Sequence, residues 1–443
     1  MSSGSTIVAP ATGPAPGGVG ILRLSGPSAL ELAHPFTRGL PASPEPRRAY
    51  LVDFVDWEGA ALDSGLFLFF RAPASFTGED VVELHLHGSP RLLALLQQGL
   101  LRDGRARVAD PGEFSRRAYL NGRLDLARAE AIADLVAAES EAGVRAAAAQ
   151  LAGELSARVR AIREPLLAVH ADLEGILNFP DEAEGADEGL QSRLEPLAAA
   201  ALKLAADVGR GRLVRRGAKV VLFGPVNAGK STLFNRLLGE ERALVDPEPG
   251  TTRDVLEERV EISGLTVTLV DTAGLRADPA RLEALGIERA RAALRSADLA
   301  VLVLPPDVAD DEARRWRVEA GAAPVITALG KSDLRRSVGD PIDGLPVSGI
   351  TGSGVEDLRR AIVERLWGAG APGAVALTSE RHAEALRRAA VLLERAVEAA
   401  QVSTLEVVAG EIGFAVEALG EITGESASAD LLDAIFRRFC IGK

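Results

Sequence analysis

Cysteine, histidine and lysine are all scarce in this sequence, and the scarcity of cysteine excludes two kinds of structural site. The 443 residues include a single cysteine, Cys440, which excludes an internal disulfide and any zinc site built from several thiolates. We therefore expect a cytoplasmic protein, because chains without disulfides are typical of reducing compartments. Only five lysines are present among the 50 lysines and arginines. A GC-rich coding bias explains that ratio, but it does not explain which positions keep lysine.

Long apolar runs are also missing. The best of them, residues 66–70 and 299–304, fall far short of the roughly 18 residues that a membrane-spanning helix needs. The N-terminus shows no basic flank followed by an apolar segment, so no secretion signal is predicted. The formal net charge of −13 disfavours a whole-surface electrostatic grip on nucleic acid. We expect no membrane association and no DNA binding, and we expect any RNA contact to be local or shared with a partner.

The composition changes character along the chain. Residues 1–120 mix short β-branched segments with a helical stretch, whereas residues 121–215 and 372–443 are rich in Ala, Leu, Arg and Glu at helical spacing. Residues 216–371 alternate strands with helices, which predicts a parallel sheet. The predicted fold is therefore multi-domain, α/β with all-α. An N-terminal α+β domain is followed by a discontinuous helical domain, into which an α/β domain is inserted.

Residues 224–231 read Gly-Pro-Val-Asn-Ala-Gly-Lys-Ser and fit the pattern GxxxxGK[ST], which is typical of a nucleotide-binding phosphate loop. The segment follows an apolar strand and opens a helix, which is the context that the pattern requires. Backbone N–H groups of such a loop surround the phosphates, while Lys230 would neutralise β- and γ-phosphate oxygens and the Ser231 hydroxyl would bind Mg²⁺. A nucleoside triphosphate is therefore the expected ligand.

Two further motifs match the switch segments of GTPases. Residues 271–274, Asp-Thr-Ala-Gly, follow a predicted strand, and Asp271 would support the Mg²⁺ shell while the glycine N–H senses the γ-phosphate. Residues 250–254, Gly-Thr-Thr-Arg-Asp, offer a threonine hydroxyl to Mg²⁺ in a loop that the γ-phosphate would order. The order and spacing of these motifs relative to the phosphate loop predict a GTPase-type site.

The expected base is guanine. In residues 330–333, Gly-Lys-Ser-Asp, the Asp333 carboxylate can accept from the ring N–H and the exocyclic amine of guanine, a pair of donors that adenine lacks. Ser348 and Gly349 form a second loop at the base. Gly330 stands where GTPases usually have asparagine, which removes a base contact and an internal hydrogen bond, each worth about 1 kcal/mol. We expect weaker nucleotide binding with the choice of guanine retained.

Hydrolysis needs a different explanation from that in Ras-like enzymes, which place a water-orienting glutamine directly after the Asp-x-x-Gly glycine. Leu275 occupies that position here and can neither orient water nor stabilise charge. Two other residues are candidates. The side-chain oxygen of Asn227 could help to hold a monovalent cation against the phosphates, and Glu283 could act through a bridging water. From the residues alone, a solvated helix face is the favoured interpretation of Glu283.

Five other segments identify a family. They are Thr-Ile-Val-Ala at 6–9, Gly-Gly-Val-Gly-Ile-Leu-Arg at 17–23, Ser-Phe-Thr-Gly-Glu-Asp at 75–80, Pro-Gly-Glu-Phe-Ser at 111–115 and Cys-Ile-Gly-Lys at 440–443. Together with the GTPase motifs, they make the sequence resemble the MnmE (TrmE) family of tRNA modification GTPases, in the TrmE-Era-like group. The resemblance implies a folate-binding and dimerisation domain at 1–120, a helical domain at 121–215 and 372–443, and a Ras-like G domain at 216–371.

For the G domain, the resemblance implies a homodimer that hydrolyses GTP with Mg²⁺ and K⁺ when two G domains meet across their nucleotide faces. It places Mg²⁺ on Ser231 and Thr252, makes Glu283 the catalytic, water-positioning residue, and puts K⁺ in place of an arginine finger. The implied K⁺ ligands are Asn227, Asp246, Glu248 and Thr251. The implied GTP-binding residues are Asn227, Ala228, Gly229, Lys230, Ser231, Thr232, Asp246, Thr251, Thr252, Asp271, Thr272, Ala273, Gly274, Lys331, Asp333, Ser348 and Gly349.

The same resemblance implies a folate site formed by Arg23, Glu83, Arg123 and the terminal Lys443. A carboxylate such as Glu83 can pair with the amino-pyrimidine edge of a pterin, while cationic groups suit the glutamate tail and the pterin carbonyl. Arg123 replaces a lysine that is common in relatives. Cys440 is a candidate reactive thiol near the folate, and its other interpretation is a small residue that orders the tail.

As a whole, the resemblance implies a cytoplasmic enzyme that works with the FAD-containing protein GidA (MnmG), in a heterotetramer, on C5 of the wobble uridine of certain tRNAs. A tetrahydrofolate derivative would supply the one-carbon unit of a carboxymethylaminomethyl or aminomethyl group. One alternative is a GTPase switch in ribosome assembly, although the sequence after residue 371 shows no basic RNA-binding appendage. The other alternative keeps the fold but supposes that Gly330 leaves the G domain weakly loaded or without nucleotide.

Overall fold

The computed structural model describes residues 4–179, 189–206, 217–239, 256–272, 291–334, 343–367 and 379–443. Contacts among them define two compact units. The first unit comprises residues 1–133, 156–163 and 416–443, and the second comprises residues 134–155 and 164–415. The first unit is therefore assembled from stretches that are far apart in the sequence.

The first unit is built on a seven-stranded sheet in the order β3-β4-β5-β6-β2-β1-β7. Its strands are β1 (Thr6–Pro10), β2 (Gly17–Ser25), β3 (Thr37–Arg38), β4 (Ala49–Val55), β5 (Ala61–Phe70), β6 (Val81–Gly88) and β7 (Ala106–Val108). Neighbouring strands are antiparallel except β1 and β7, which are parallel.

The alternation of polar and apolar residues in β6 determines which side chains the sheet exposes. Val82 and Leu84 are fully buried, whereas Glu83 and His85 lie on the opposite face and are only half-buried. The antiparallel register with β2 places Arg23 directly opposite Glu83. The alternation that the sequence predicts for this strand is confirmed, and it gives the sheet one polar face.

Three of the described helices, α2, α5 and α13, begin at a serine cap. Ser89, Ser140 and Ser428 each accept a hydrogen bond at the side-chain oxygen from a backbone N–H three residues later, at 3.4, 3.0 and 3.2 Å. The helices are α1 (Ala29–Ala33), α2 (Pro90–Leu101), α3 (Glu113–Leu120), α4 (Leu126–Ala137), α5 (Glu141–Ala152), α6 (Glu154–Asn178), α7 (Leu190–Ala206), α8 (Lys230–Leu238), α9 (Asp310–Glu319), α10 (Val355–Trp367), α11 (Glu380–Val402), α12 (Leu405–Thr423) and α13 (Ala429–Phe436). Not one of these helices combines the length and the apolar character needed to cross a membrane.

The core of the first unit lies between the apolar face of its sheet and helices α1 and α2. Phe54 and Phe67 from the sheet, with Leu96 and Leu100 from α2, are almost completely buried in one cluster. Burial of each such side chain stabilises the fold by about 1.5–3 kcal/mol. This packing occupies the apolar face and leaves the face of Arg23 for polar contacts.

The second unit contains a six-stranded sheet in the order β13-β12-β11-β8-β10-β9. Its strands are β8 (Ala218–Phe223), β9 (Leu256–Ile262), β10 (Leu265–Asp271), β11 (Leu299–Leu304), β12 (Val325–Leu329) and β13 (Leu345–Pro346). All neighbours are parallel except β9 and β10. Every residue of β11 is buried, as expected for a central strand covered on both faces. The predicted parallel sheet is confirmed.

Helical segments within the second unit pack on this sheet and on each other. Helix α7 lies along α11. The start of α5 contacts the turn between β9 and β10, where the Ala142 N–H donates to the Gly264 carbonyl oxygen at 3.2 Å. Close by, the Arg259 guanidinium on β9 lies 2.7 Å from the Glu139 carboxylate. The β9–β10 hairpin is thereby joined to the residues between α4 and α5.

Candidate functional site

The loop between β8 and α8 curls because glycines and one asparagine adopt left-handed backbone angles. Gly224 has φ +137°, Asn227 +61° and Gly229 +96°. A side chain at Gly224 is excluded on space as well, since a Cβ there would lie 2.2 Å from the Val303 carbonyl oxygen. Helix α8 starts at Lys230, immediately after this curl. Its N-terminal N–H groups and positive dipole end favour an anion at the loop.

Lys230 lies inside the curled loop and is only 7% exposed. Its ammonium donates to the carbonyl oxygens of Gly224 and Pro225, at 3.0 and 2.6 Å. The compact Nζ therefore fits within a turn of the main chain that would not admit the planar fork of an arginine. This position concentrates positive charge where the motif predicts phosphate oxygens.

Two residues of the Asp-Thr-Ala-Gly motif, Asp271 and Thr272, are described, and they lie beside the strand that leads into the phosphate loop. Asp271 ends β10 opposite Leu222 of β8 and is fully buried. Thr272 fixes this junction, since its N–H and its hydroxyl both donate to the Leu222 carbonyl oxygen, at 3.3 and 2.9 Å. A cavity of about 1030 Å³ opens here, and its lining includes Asn227, Lys230, Ser231, Thr232 and Thr272.

The predicted guanine loop also reaches the phosphate loop. Lys331 has φ +54°, and the Ser332 N–H donates to the Val347 carbonyl oxygen at 3.1 Å, which ties the loop after β12 to the loop after β13. Gly349 lies against the start of α8, because a Cβ on it would be 2.9 Å from the Leu233 nitrogen. The structure thus brings residues 330–333 and 348–349 together with residues 224–232.

Hard oxygen donors meet at the same edge of the sheet. Ser231 occupies the first turn of α8, and Asp271 ends the strand next to β8. Hydroxyl and carboxylate oxygens are the protein ligands that suit Mg²⁺. Within the described ranges, no group of three or more His, Cys, Asp or Glu side chains forms a metal site of its own. The oxygen donors fit a nucleotide-bound Mg²⁺, which takes few ligands from protein.

Part of the predicted site falls outside the described residues. These positions come from the 250–254 motif and the four residues before it, from the Asp-Thr-Ala-Gly motif, and from the sequence that follows: Asp246, Glu248, Thr251, Thr252, Ala273, Gly274 and Glu283. Of the predicted K⁺ ligands, only Asn227 is described, and of the predicted Mg²⁺ ligands, only Ser231 is described. Their assignments stay predictions.

A second polar constellation lies in the first unit, on the open face of its sheet. The Arg23 Nε donates to Glu83 Oε1 at 2.9 Å, and His85 Nε2 lies 3.1 Å from Glu83 Oε2. Arg23 Nη1 also donates to the carbonyl oxygen of Gly442, at 3.3 Å. Gly442 adopts φ +95°, and a Cβ there would lie 1.9 Å from the Pro10 carbonyl oxygen. The C-terminal tail is therefore seated against β1 next to Arg23.

Aromatic rings complete the surroundings of Arg23. Its guanidinium carbon lies 5.9 Å from the centre of the Phe76 ring and 5.7 Å from that of Phe114, within cation–π range. Phe76 belongs to the segment 75–80 and Phe114 to the segment 111–115. The segments that carry the family resemblance therefore converge on one place in the first unit, although they are far apart in sequence.

A buried ionic network holds these two segments together, and sequence reasoning gave its members no role. Arg117 donates to Glu79 Oε2 at 2.8 Å and to Glu113 Oε1 at 2.9 Å, and its side chain is only 10% exposed. Burial alone would raise the pKa of Glu113, but hydrogen bonds from Arg107, the Asp110 N–H and Arg117 hold the pKa of this carboxyl below its usual value. The spacing of Glu113 and Arg117 in α3 was the available signal, although it more often marks an exposed pair.

The remaining predicted folate residues border this constellation. Arg123 is exposed, and its stem passes Gly78, where a Cβ would lie 3.4 Å from Arg123 Cγ. Lys443 is half-buried and directly follows Gly442. Cys440 is a free and exposed cysteine whose carbonyl oxygen accepts from the Gly112 N–H at 3.4 Å. This contact is made by backbone and does not involve the thiol, so both interpretations of Cys440 stay predictions.

Comparison with known proteins identifies relatives along the whole chain. A family model described as "GTP-binding protein TrmE N-terminus" matches residues 6–123, and one described as "MnmE helical domain" matches residues 126–440. The chain is 64% identical over 442 residues to a "tRNA modification GTPase MnmE" of Myxococcus xanthus (strain DK1622), covering 100% of both chains. Proteins of the same name are 46% identical in Xanthomonas oryzae pv. oryzae (strain MAFF 311018), with 100% of both chains covered, and 41% identical in Neisseria meningitidis serogroup B (strain ATCC BAA-335 / MC58), with 99% of both covered.

These matches confirm both the fold class and the family that the sequence predicts. Two family models together account for nearly the entire chain, and the helical model spans residues on either side of the parallel sheet. Identity well above 30% over the full length shows common descent. The chain belongs to the MnmE (TrmE) family.

Proposed function

We propose that this chain hydrolyses GTP as part of a tRNA modification reaction. One observation carries the proposal: a phosphate loop with a buried Lys230 packs against the Lys331–Asp333 loop, in a chain whose full-length relatives are named tRNA modification GTPases. Lys230 would neutralise β- and γ-phosphate oxygens, and Asp333 would select guanine. Ser231 and Thr252 would hold Mg²⁺, which supplies charge neutralisation on the phosphates when bound.

The proposal includes a division of labour among domains. Residues 1–120 would bind folate and dimerise, residues 121–215 and 372–443 would form the helical domain, and residues 216–371 would be the G domain. The match of one helical family model across 126–440 supports an inserted G domain, because the parallel sheet lies inside that range. An insertion of this kind links the nucleotide state to both halves of the helical domain through two covalent connections.

For hydrolysis we propose a cation-dependent mechanism with two G domains in contact. Asn227, with Asp246, Glu248 and Thr251, would hold K⁺, which supplies the positive charge that an arginine finger gives other GTPases. Asn227 lines the same cavity as Lys230 and Ser231, which supports this role. Glu283 would orient the attacking water, which Leu275 cannot do.

A comparison of GTP turnover in K⁺ and in Na⁺ tests this mechanism. We expect faster turnover in K⁺, and the Asn227→Ala variant should lose most of this stimulation while still binding GDP. Ser263→Ala is a matched control, because Ser263 also has a left-handed backbone, with φ +50°, but lies in the β9–β10 turn. Equal rates in both salts for the unmodified protein would refute the cation mechanism, and no turnover in either would favour a G domain without activity.

In the first unit we propose a site for a tetrahydrofolate derivative, formed by Arg23, Glu83, Arg123 and Lys443. Each Glu83 oxygen already has one partner, Arg23 or His85, and each retains a second lone pair for a pterin N–H. The adjoining Phe76 and Phe114 rings offer flat apolar surface beside Arg23. The folate would supply the one-carbon unit of the tRNA modification.

Titration calorimetry with 5-formyltetrahydrofolate tests this site. We expect Arg23→Met to weaken binding at least about tenfold, in line with the loss of a charge-assisted hydrogen bond. Arg48→Met is the matched control, because Arg48 likewise lies over an aromatic ring, 5.3 Å from the centre of Tyr50, and pairs with a glutamate, Glu45, at 3.1 Å. Equal losses in the two variants would contradict a specific site at Arg23.

For the biological reaction we propose a cytoplasmic homodimer that joins GidA (MnmG), an FAD protein, in a heterotetramer. Together they would add a carboxymethylaminomethyl or aminomethyl group at C5 of the wobble uridine of certain tRNAs. Nucleoside mass spectrometry of tRNA from a deletion strain is the direct test, with loss of the modified uridine expected. An unchanged wobble uridine would favour a role in ribosome assembly instead.

A further inference from the structure

Gly330 lies directly on the phosphate loop. A Cβ built on Gly330 would be 2.4 Å from the Ala228 carbonyl oxygen, closer than real Cβ atoms approach any heavy atom, and 3.2 Å from Val303 Cγ1. The Gly330 N–H donates to the Leu304 carbonyl oxygen at 2.8 Å, so the backbone is fixed from its other side by β11. The residue is thus held between a strand end and the phosphate loop, with no space for a side chain.

The next residue extends the same contact. Lys331 takes the left-handed angle φ +54°, and its stem runs past Gly229, where a Cβ would lie 3.7 Å from Lys331 Cγ. Two successive residues of the guanine loop therefore cover two successive residues of the phosphate loop, Ala228 and Gly229. The contact is made by main chain and an aliphatic stem, not by a polar side chain.

We propose that this direct backbone contact braces the phosphate loop in place of the asparagine side chain usual at this position, which makes Gly330 a positioning residue for GTP. The inference rests on the proposed GTP binding and reverses the expectation from sequence. Sequence reasoning treats Gly330 as a lost hydrogen bond that asparagine would restore. The structure assigns the opposite result, since any side chain at 330 must push the phosphate loop away.

The displacement would reach the phosphate-binding groups through the main chain. The Ala228 N–H donates to the Pro225 carbonyl oxygen at 3.4 Å, and the same oxygen accepts from the Lys230 ammonium at 2.6 Å. A shift of Ala228 therefore moves both the loop amides and the oxygen that holds Lys230. A Cβ 2.4 Å from the Ala228 oxygen must move away by about 0.6 Å to reach 3.0 Å. Misplacement by 1 Å can cost about a hundredfold, so a shift of this size predicts a loss of about tenfold.

The test measures the Kd of methylanthraniloyl-GDP and methylanthraniloyl-GTP for the full-length chain by fluorescence. We expect Gly330→Ala and Gly330→Asn each to raise both Kd values about tenfold, with most of the loss already present in the alanine variant because both carry the Cβ. The preference for guanine over inosine nucleotides should stay unchanged, since it depends on Asp333.

Gly344→Ala is the matched control. A Cβ at Gly344 would lie 3.0 Å from the Thr327 carbonyl oxygen, so the substitution also crowds β12, but its three nearest contacts all belong to Thr327 and Leu329 and none to the phosphate loop. This variant should bind both nucleotides as the unmodified chain does. A Gly344→Ala variant that loses as much affinity as Gly330→Ala would overturn the proposal, because general strain in the sheet would then suffice.

If Gly330→Asn bound the labelled guanine nucleotides as tightly as the unmodified chain or more tightly, the proposal would be overturned directly. Failure of the unmodified chain to bind any guanine nucleotide would instead refute the proposed function, so the two failures are distinguishable. Should Gly330→Ala not fold, the double variant Gly330→Ala/Val303→Ala relieves the second closest contact. It should bind at least three times more weakly than Val303→Ala alone, and equal affinities in that pair would contradict the bracing role.

Discussion

The nucleotide site and the Arg23 site are assembled in opposite ways. In the second unit, the loops after β8 and β12 and the end of β10 lie together because parallel strands bring their carboxyl ends to one edge of the sheet. In the first unit, Arg23 meets a residue 60 positions away and another 419 positions away. The first arrangement follows from local motifs and sheet topology, whereas the second exists only once the tail has docked.

The two sites also differ in what holds them. Left-handed backbone at Asn227 and Lys331 and close backbone approaches at glycine shape the nucleotide site. Charged side chains shape the other one, with Arg23 on Glu83 and Arg117 between Glu79 and Glu113. Substitutions in the phosphate loop should therefore act mainly on turnover, and substitutions in the Arg117 network mainly on stability.

The largest expected effect is that of Lys230→Ala on GTP turnover. Loss of a positioned cation among the phosphates should lower turnover at least about a hundredfold, the magnitude seen when one preorganised donor is removed. Steady-state phosphate release measures it. The unfolding transition should move little, because the site is held by backbone geometry rather than by this charge.

Lys219→Ala is the control for that prediction. Lys219 lies on β8, the strand that leads into the phosphate loop. Its ammonium pairs with Glu257 at 2.9 Å, outside the site. Turnover within twofold of the unmodified protein is expected. If Lys230→Ala kept more than a tenth of the turnover, the buried ammonium would not be the phosphate-binding group.

In the first unit, the largest loss of unfolding free energy is expected from Arg117→Leu. Removing this cation leaves Glu79 and Glu113 mostly buried without it, and the loss of one partner from a buried ion pair costs about 3–5 kcal/mol of unfolding free energy. Denaturant titration measures the change. Arg105→Leu provides the control, since Arg105 also pairs with two carboxylates, of Glu31 and Asp103, but is 51% exposed. A loss at Arg117 as small as that at Arg105, below about 1 kcal/mol, would show that the network is dispensable.

The sequence predicts local backbone features well and contacts between distant residues poorly. The phosphate loop is predictable because Gly224, Gly229 and Lys230 act on the backbone next to them. The closeness of Gly330 to Ala228 is not predictable from local sequence. It depends on the distance between β8 and β12, which is set by β11 between them. Arg23 looks like an ordinary surface arginine until the family resemblance places it, and the burial of Arg117 depends on tertiary contacts that no local pattern encodes.

A smaller effect is expected from acid. The pKa of Glu113 is lower in the folded chain than in the unfolded one, so the unfolded chain takes up a proton first as the pH falls. The stability that Glu113 contributes is complete above its ordinary pKa and is lost as the pH falls through the lower, folded value. Unfolding free energy should therefore decline below about pH 5, and Glu113→Gln should flatten this decline. An equally steep decline in the variant would remove Glu113 as the cause.

The smallest effect should come from the charged pair of the second unit. Arg259 on β9 and Glu139 are 53% and 57% exposed, so solvent and salt screen their attraction. A double-mutant cycle with Arg259→Met and Glu139→Gln should give a coupling of about 0.2–1 kcal/mol, without change in GTP turnover. A coupling above about 2 kcal/mol would mean that charge also holds the β9–β10 hairpin in place. Charge would then stabilise the second unit as well as the first, and the two units would no longer differ in the kind of interaction that holds them.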